Sequence, residues 1–421
     1  MELSIVIPTF NEAENLKILF PRLQAVLDRL GVEYEIIIAD AGSKDNIFEI
    51  VRQYGASIFV QEKKGFGLAL REAFKRCRGD YIITLDADFS HEPFVIKQLY
   101  QFRHTAEIII ASRYIRGGFA NAPFLRNFLS HILNLVFCFI LDLPLKDISS
   151  GFRLYHRKIF EDLNLESVSF EIQQEIVVKA YSLGYFINEI PFHYLPRISG
   201  HSHLKPLKCA LRYAICLLKM YKIRKSILSA DYDERAFYSY IPLQRYWQRK
   251  RYRIVLDFSQ RSERILDIGC GSNKILEAFP QAVGADIAFH KLRYRRHLIN
   301  PLVNADIFNL PFKDHVFDEI FCQEVIEHIE KKDNVFKELN RVLKKDGLLI
   351  LGTPDYDKLL WRIIEFFYKR IIPAGYADEH ISHYTFKSIK EKLQKYGFVL
   401  LDYRYVLGAD LIVKAQKKQD L

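Results

Sequence analysis

The sequence has few cysteines, no long hydrophobic run, no internal repeat and no low-complexity segment. Its six cysteines include no CxxC pair, which is typical of a reducing compartment rather than of a disulfide framework. The longest uncharged run, residues 127–141, contains asparagine, serine and histidine, whereas a helix needs roughly 20 mostly apolar residues to cross a bilayer. The amino terminus, MELSIVIP, has no charged leader. We therefore expect a cytoplasmic protein with neither a membrane-spanning helix nor a signal peptide.

The length and the charge of the chain limit its organisation and its partners. With 421 residues, of which 49% are hydrophobic, the chain is long enough for two domains with separate cores. The net charge of +10 predicts an anionic partner, such as phosphates or an acidic membrane surface. Because the basic residues do not form a recognisable nucleic-acid module, we expect no nucleic-acid partner.

Strand and helix patterns alternate in the first half, which predicts a mostly parallel sheet with ligands at the carboxyl ends of its strands. Acidic residues follow two of these strands. Asp40 closes the second, where its carboxylate would accept hydrogen bonds from a base or a ribose, and Asp86 and Asp88 close the fourth. One or two carboxylates suffice for a divalent cation that keeps water and phosphate oxygens as its other ligands. The pattern predicts a site for a nucleoside diphosphate, and an acidic loop is the alternative.

Six segments of the first half, in order, resemble the family 2 glycosyltransferases of GT-A fold, in particular their dolichol-phosphate or polyprenyl-phosphate mannosyltransferase branch. The segments are IVIPTFNEAENL, IIIADAGSKDN, KKGFGLALREAF, GDYIITLDADFSHEP, ASRYIRGG and DISSGFRLY. The resemblance covers about residues 1 to 225. It implies a Rossmann-like domain that transfers a hexose from a GDP- or UDP-sugar to a polyprenyl phosphate or a lipid-linked glycan, with inversion.

The resemblance also implies the functions of individual residues. It implies that Asp86 and Asp88 hold Mg²⁺ or Mn²⁺ and that Arg113 binds phosphate. The nucleotide pocket would be lined by Pro8, Asn11, Glu12 and Asp40. The donor and acceptor pocket would be shaped by Asp147, Gly151, Phe152 and Arg153.

Two positions depart from the family pattern. Ala41 stands where the family usually has a second aspartate, which weakens the expected contacts to the donor base. His203 stands where the family has a phosphate-binding lysine, and this leaves Arg197 and Lys205 as the nearby cations.

The acceptor decides whether a general base is needed. A lipid phosphate has a second pKa of about 6 and is already largely dianionic at neutral pH, so it needs no strong base. A hydroxyl acceptor does need one, and Glu175 is the candidate, with a solvated helix position as the alternative. For Arg113 the alternative to phosphate binding is a surface ion pair.

Residues 205–225 have the pattern of an amphipathic helix, with Lys208, Arg212, Lys219 and Lys222 in one stripe. Such a helix can lie among lipid headgroups with its basic residues on anionic lipid. Together with residues 124–141 it would place a lipid acceptor beside the active site, and it predicts a peripheral protein on the cytoplasmic face of the membrane. The alternative is a helix that packs on its own domain.

The second half, about residues 235 to 421, resembles the class I S-adenosylmethionine-dependent methyltransferases, which have a seven-stranded Rossmann-like fold. The resemblance is carried by ERILDIGCGSNKILEAF, AVGADIA, NADIFNLPFKDHVFDEIFCQEVIEHI and GLLILGTPD. It implies that Asp267, Gly269 and Gly271 bind the methionine part of S-adenosylmethionine. It further implies that Asp286 binds the ribose, that Asp306 and Ile307 flank the adenine, and that Glu324 ends the fourth strand. An NAD site is disfavoured because Lys274 stands where a third glycine would be needed.

The histidines of the second half are candidate general bases because the imidazole titrates near neutral pH. His328 in EVIEHI, and His380 and His383 in EHISHYT, resemble positions of the ubiquinone-biosynthesis O-methyltransferases. The spacing reveals no metal-ligand cluster in this half.

Together, the sequence predicts a glycosyltransferase domain at residues 1–228 and a methyltransferase domain at 229–421. The predicted protein is bifunctional: it glycosylates a lipid acceptor and methylates an oxygen, on that sugar or on a related glycan. Two alternatives are a soluble glycan or protein acceptor, and a methyltransferase with an inactive, glycosyltransferase-like docking domain.

Overall fold

The computed structural model describes residues 1–196, 206–330, 334–371 and 380–418. These residues form two compact units, Met1–Tyr181 with Tyr185–Arg224, and Ser182–Gly184 with Lys225–Leu421. Each unit has its own α/β core.

The first unit contains nine strands and eight helices among its described residues. The strands are β1 (Leu3–Thr9), β2 (Tyr34–Asp40), β3 (Ser57–Val60), β4 (Tyr81–Thr84), β5 (Ile108–Ser112), β6 (Phe119–Ala120), β7 (Arg153–His156), β8 (Ile187–Pro191) and β9 (His193–Tyr194). The helices are α1 (Ala13–Leu30), α2 (Ile47–Gln53), α3 (Phe66–Arg76), α4 (Val95–Gln101), α5 (Phe124–Ile140), α6 (Ile159–Asp162), α7 (Ile172–Ser182) and α8 (Pro206–Lys225).

Seven of these strands form one sheet, in the order β3-β2-β1-β4-β7-β5-β8, and β6 pairs with β9 separately. β7 is antiparallel to both of its neighbours, and the other pairs are parallel. The central strand β1 is almost fully buried, which explains its nearly continuous apolar sequence. The predicted mostly parallel sheet is confirmed, and the first two strands end together because Thr9 is in register with Asp40.

The second unit contains seven strands and seven α-helices among its described residues. The strands are β10 (Ile265–Ile268), β11 (Val283–Asp286), β12 (Leu302–Asn304), β13 (Phe317–Gln323), β14 (Leu343–Pro354), β15 (Phe398–Val406) and β16 (Asp410–Lys417). The helices are α9 (Tyr232–Phe237), α10 (Pro242–Phe258), α11 (Ile275–Ala278), α12 (Phe289–Arg295), α13 (Asn334–Val342), α14 (Leu359–Ile371) and α15 (Phe386–Lys395), and Ile326–His328 forms a 3₁₀ turn.

The sheet of the second unit has the order β12-β11-β10-β13-β14-β16-β15. Its first five strands are parallel, and β16 runs antiparallel between β14 and β15. The predicted seven-stranded, Rossmann-like sheet is confirmed. Among the described residues, no helix combines the length and the apolar character needed to cross a bilayer.

Candidate functional sites

The first unit contains a cavity of about 1320 Å³ at the carboxyl ends of β1, β2 and β4. Its lining includes six residues that the sequence predicts to be functional, namely Pro8, Glu12, Asp86, Asp88, Arg113 and Gly151. Apolar side chains of α5 and α8 form an apolar wall of the cavity, to which α5 also adds Arg126, Asn127 and Ser130. Residues that lie far apart in the sequence therefore share one site.

The two aspartates after β4 are held in different ways. The side chain of Asp86 is 36% exposed, whereas Asp88 is buried and accepts hydrogen bonds from the backbone N–H and the hydroxyl of Ser90, at 3.1 and 2.5 Å. β4 ends at Thr84 and the chain turns at residues 87–88, so the two aspartates are not on a regular strand, where residues two apart would point to opposite faces, and both line the cavity. Two carboxylates on one wall are a suitable donor set for a hard divalent cation that also binds phosphate.

His91 is a neighbour of Asp86 that the sequence analysis did not select. Its Nδ1 accepts the backbone N–H of Asp86 at 2.8 Å, so the proton of the neutral ring must be on Nε2, which lies 3.8 Å from Oδ2 of Asp86. Burial lowers the pKa of His91, although Asp86 and Asp88 act in the opposite direction. His91 thus holds Asp86 in position as a neutral imidazole.

Arg113 and Asp147 form a buried, two-pronged ion pair beside the aspartates. Nε and Nη2 of Arg113 each donate to Asp147 at 2.7 Å, and Nη2 also contacts the Ser149 hydroxyl at 2.8 Å. Burial alone would raise the pKa of Asp147, but the guanidinium outweighs it and the pKa is lowered. The pair faces the cavity, so the alternative of a surface ion pair is wrong.

Asp40 and Asn11 organise the loops at the base of the cavity. Asp40 is fully buried, and its Oδ2 accepts the backbone N–H groups of Gly42 and Ser43, both at 2.8 Å. Ala41, and not Asp40, lines the cavity. Oδ1 of Asn11 accepts the N–H of Lys44 at 2.9 Å. This geometry supports a structural function of both side chains in the loops and does not favour their predicted contact with the nucleotide.

The structure gives Glu175 a structural function rather than that of a general base. Its carboxylate accepts the backbone N–H groups of Glu166 and Ser167, both at 2.8 Å, and pairs with Lys179 at 2.6 Å. Burial would raise its pKa, but Lys179 and the N–H donors outweigh burial and lower it. Glu175 does not belong to the cavity lining, so we do not retain it as a base.

Arg153 is likewise buried, and it donates to the backbone oxygens of Gln173 and Ile148 at 2.9 and 2.6 Å. Because Arg153 does not line the cavity, it supports the residues around the pocket without facing it. Arg197, His203 and Lys205, the predicted cations near the domain end, lie outside the described residues.

Gln173 is a cavity residue that no sequence motif indicated. Its side chain is almost fully buried, and Nε2 has no hydrogen-bond partner while Oε1 accepts the Tyr155 hydroxyl at 3.4 Å. A Cβ built on Gly151 would lie 3.6 Å from this Nε2 and 4.0 Å from Oδ1 of Asp86. Gly151 therefore leaves space between a donor without a partner and a carboxylate, and a hydroxyl group can bond to both kinds of group.

The second unit contains a cavity of about 600 Å³ at the carboxyl ends of β10, β11 and β13. The predicted residues Gly269, Asp286, Asp306, Ile307, Glu324 and His328 line it. The loop after β10 is tight because φ is +66° at Gly269 and +43° at Gly271. A Cβ on Gly269 would lie 2.2 Å from Cγ2 of Val325, so only glycine permits this close approach.

Two carboxylates hold this loop. Asp286 accepts the N–H of Gly271 and the N–H of Ala288, both at 2.8 Å. Asp267 is fully buried, its Oδ1 has no hydrogen-bond partner, and burial raises its pKa to about 8. A buried carboxylate oxygen that lacks a donor is a suitable partner for the ammonium group of a bound amino acid. Gly269 lines the cavity whereas Asp267 and Gly271 do not, so the contact of Asp267 with the methionine part of S-adenosylmethionine stays a prediction.

Glu324 follows β13 with a φ of +54°. Its Oε2 lies 3.1 Å from Nη2 of Arg251, and the same nitrogen lies 2.9 Å from Asp410. Burial raises the pKa of Glu324, and Arg251 only partly opposes this effect. Glu324 is therefore held at the cavity wall by a buried charge network.

The expectation of no metal-ligand cluster in the second half is wrong. Glu327, His328 and His380 each place a ligand atom within 4.8 Å of the others. Glu327 and His328 are adjacent, but His380 comes from a separate segment, so the spacing in the sequence gave no sign of the group. The hydroxyl of Tyr356 lies 2.7 Å from Nδ1 of His380, and His383 stacks on Tyr356 with ring centroids 4.0 Å apart.

Comparisons with known proteins agree with the two folds. Residues 4–163 match the family model described as Glycosyl transferase family 2, and residues 266–351 match the model described as Methyltransferase domain. The chain is 34% identical over 217 residues to a dolichol-phosphate mannosyltransferase of Pyrococcus furiosus, which covers 49% of the chain and 60% of that relative. It is 29% identical over 212 residues to an undecaprenyl-phosphate 4-deoxy-4-formamido-L-arabinose transferase of Pseudomonas fluorescens, with coverages of 49% and 60%.

The fold, the cavities and the family matches define a chain made of two transferase domains. It contains a family 2 glycosyltransferase domain followed by a methyltransferase domain. The chain spans 60% of the length of the two relatives named above.

The raised pKa of Asp267 leads to a prediction about cofactor binding. Below pH 8 the free carboxyl is mostly protonated, and a bound ammonium group would favour its ionised form. Binding of S-adenosylmethionine should therefore release up to about one proton at pH 7, and affinity should rise by up to about tenfold from pH 6 to pH 7. Calorimetry in two buffers of different ionisation enthalpy measures this release.

The matched control for this experiment is Asp267→Asn, which keeps the volume and removes the titration. It should bind more weakly, without release of a proton from this site. Equal proton release by the two proteins would contradict the assignment.

Proposed function

We propose that residues 1–228 transfer a hexose from a GDP- or UDP-sugar to a polyprenyl phosphate or a lipid-linked glycan, with inversion. We further propose that residues 229–421 transfer a methyl group from S-adenosylmethionine to an oxygen of a glycan or a lipid-linked sugar. The observation that carries the first proposal is that Asp86, Asp88 and Arg113 line the same cavity as apolar side chains of α5 and α8.

Asp86 and Asp88 are the residues that would hold Mg²⁺ or Mn²⁺, which would neutralise charge on the nucleoside diphosphate. Arg113 is positioned by Asp147, and its Nη1 is not used by the bonds that fix Nε and Nη2. Because it is already aligned, Arg113 can donate to a phosphate oxygen without reorganisation. This arrangement supports the predicted function of Arg113.

The apolar wall supports a lipid acceptor. α5 contributes Leu125, Leu129, Leu133 and Val136 to the cavity, and α8 contributes Ala210, Ala214 and Leu217. This wall matches a polyprenyl chain. A phosphate of that lipid is an anion without the help of a base, which agrees with the engagement of Glu175 elsewhere. In the reaction, an acceptor phosphate oxygen bonds to the anomeric carbon as the bond to the diphosphate breaks.

Exposed apolar side chains on α5 and α8 support association with a membrane. Phe124 and Phe139 are 82% and 76% exposed, and Leu211 and Leu218 are 64% and 67% exposed. Arg212, Lys219 and Lys222 of the predicted basic stripe are also exposed, while the side chain of Lys208 lies outside the described residues. Helix α8 thus packs on its unit through only a narrow stripe of its surface. The alternative, a helix whose apolar face is buried against its own domain, does not explain why Leu211 and Leu218 are exposed. We propose a peripheral location on the cytoplasmic face.

For methyl transfer, an oxygen of the acceptor bonds to the methyl carbon of the sulfonium as the carbon–sulfur bond breaks. The acceptor hydroxyl must lose its proton. His328 lines the cavity and is half-buried, and we propose that its imidazole accepts this proton. This placement supports the predicted function of His328.

The sugar-transfer proposal is tested with the purified chain, Mn²⁺ or Mg²⁺ and a panel of nucleotide sugars, with and without a short polyprenyl phosphate. Release of nucleoside diphosphate should depend on one donor and on the lipid. Asp88→Asn should lower this release by about 10²-fold or more, because charge stabilisation at the leaving group is lost.

The matched control is Asp80→Asn, since Asp80 is exposed and lies outside the cavity lining; this variant should keep full activity. Release without lipid would indicate a soluble acceptor. A lack of release with every donor would favour a docking domain.

Gln173 offers a test of donor recognition. We expect Gln173→Leu to raise the KM for the sugar donor and to lower kcat/KM by about 10-fold, the cost of one lost hydrogen bond to a buried polar group. Gln173→Glu keeps the shape but offers acceptors only, and it should be at least as impaired. Kinetic constants equal to those of the unmodified chain in both variants would exclude a contact with substrate.

The membrane proposal predicts that the chain binds vesicles containing anionic lipid at low salt. Combined replacement of Leu211, Ile215 and Leu218 by glutamine should weaken binding by about 10-fold or more, because apolar area no longer enters the headgroup region. The control replaces Val399 and Leu401, two exposed residues of β15, by glutamine. Equal binding of the two variants in a flotation assay would contradict the proposed surface.

A further inference from the structure

Three possible metal ligands lie close together beside the cavity in the second unit. Glu327 and His328 belong to the 3₁₀ turn after β13, and His380 belongs to the segment before α15. One ligand atom of each lies within 4.8 Å of the others. His328 and Ile381, the residue after His380, line the same cavity as Gly269 and Asp286. Glu327 and His380 do not line the cavity themselves, so the group borders it through His328.

The surroundings of Glu327 favour a cation. Its side chain is fully buried, and Oε2 accepts the Thr353 hydroxyl at 3.1 Å, but Oε1 is buried with no hydrogen-bond partner. A buried carboxylate costs free energy unless hydrogen bonds or an opposite charge compensate it. A cation bound to Oε1 would supply this compensation.

The surroundings of His380 orient the ring for coordination. The hydroxyl of Tyr356 lies 2.7 Å from Nδ1 of His380, so this contact fixes the ring and makes Nε2 the nitrogen on the side away from Tyr356. Metal-binding histidines are usually fixed in this way, by a hydrogen bond at the other ring nitrogen. The rings of His328 and His380 have centroids 4.8 Å apart, so both imidazoles can approach one ion.

We propose that Glu327, His328 and His380 bind a divalent transition-metal ion such as Zn²⁺, Co²⁺ or Fe²⁺. Two imidazoles favour these ions over Mg²⁺ or Ca²⁺, which prefer oxygen ligands. Three protein ligands leave at least one coordination position open, as in catalytic sites. In contrast to this group, the pair Asp86 and Asp88 offers only oxygen atoms.

The role of the ion in the reaction rests on the proposed methyl transfer. If the second unit is an O-methyltransferase, the open position would hold a hydroxyl oxygen of the acceptor and increase its acidity. The lowered pKa of this hydroxyl would let its proton pass to solvent water without a strong general base, and His328 would coordinate the ion rather than accept a proton. Binding of the ion itself does not depend on that function.

The test uses the full chain with Asp86→Asn and Asp88→Asn, which removes the other candidate cation site. Titration with Co²⁺ alone should produce visible absorption typical of nitrogen ligation, with saturation near one equivalent. His328→Ala and His380→Ala should each weaken Co²⁺ binding by more than about 10-fold, and Tyr356→Phe by about 10-fold, because it removes the hydrogen bond that orients His380.

His297→Ala is the control, because His297 is exposed and does not line the cavity; it should bind Co²⁺ like the parent. Circular dichroism verifies folding, and His328→Gln and His380→Gln replace any alanine variant that unfolds. No absorption at one equivalent, or absorption that persists in both histidine variants, would overturn the proposal. Full Co²⁺ binding without any O-methylation would refute the proposed function and leave the metal site intact.

Discussion

The ion pair between Arg113 and Asp147 is the interaction on which the first site depends. Asp147 is fully buried, and breaking such a pair by removing one partner leaves a buried charge without compensation. The pair joins the end of β5 to the loop that leads to Gly151, and its Asp147 N–H donates to Glu189 of β8 at 2.8 Å. The position of the guanidinium and the opening at Gly151 are therefore determined together.

Both units place charged groups at the carboxyl ends of parallel strands, but they stabilise them in opposite ways. In the first unit, Asp147 is ionised and paired, and its pKa is lowered despite burial. In the second unit, Asp267 lacks a cation and its pKa is raised to about 8. A group that is already paired provides fixed geometry, whereas a group that lacks a counter-charge is suited to a positively charged ligand.

The apolar surface of α5 and α8 connects the glycosyltransferase fold to its proposed acceptor. A soluble domain rarely exposes so many large apolar side chains on neighbouring helices unless they bind something. The same helices provide the inner wall of the cavity, so one element can contact both the lipid chain and the membrane surface. The proposed double function would account for the apolar character of residues 124–141, which are too few to cross a bilayer.

The sequence by itself determined the two α/β folds and the positions of the strand ends. Hydrophobic strands and glycine loops are local patterns, and ligand residues that follow strands can be read directly from them. Asp86, Asp88, Gly269 and Asp286 were found in this way. The sequence could not distinguish a carboxylate that faces a cavity from one that serves its own loop.

Only the tertiary structure decided those cases. Glu175 had the right residue type for a base, but neighbouring N–H groups and Lys179 occupy it. Gln173 carries no motif, and its function as an unused donor follows from burial alone. The group of Glu327, His328 and His380 brings together segments that are distant in the sequence. Side-chain partners depend on packing between such segments, and packing has no periodicity that a single sequence reveals.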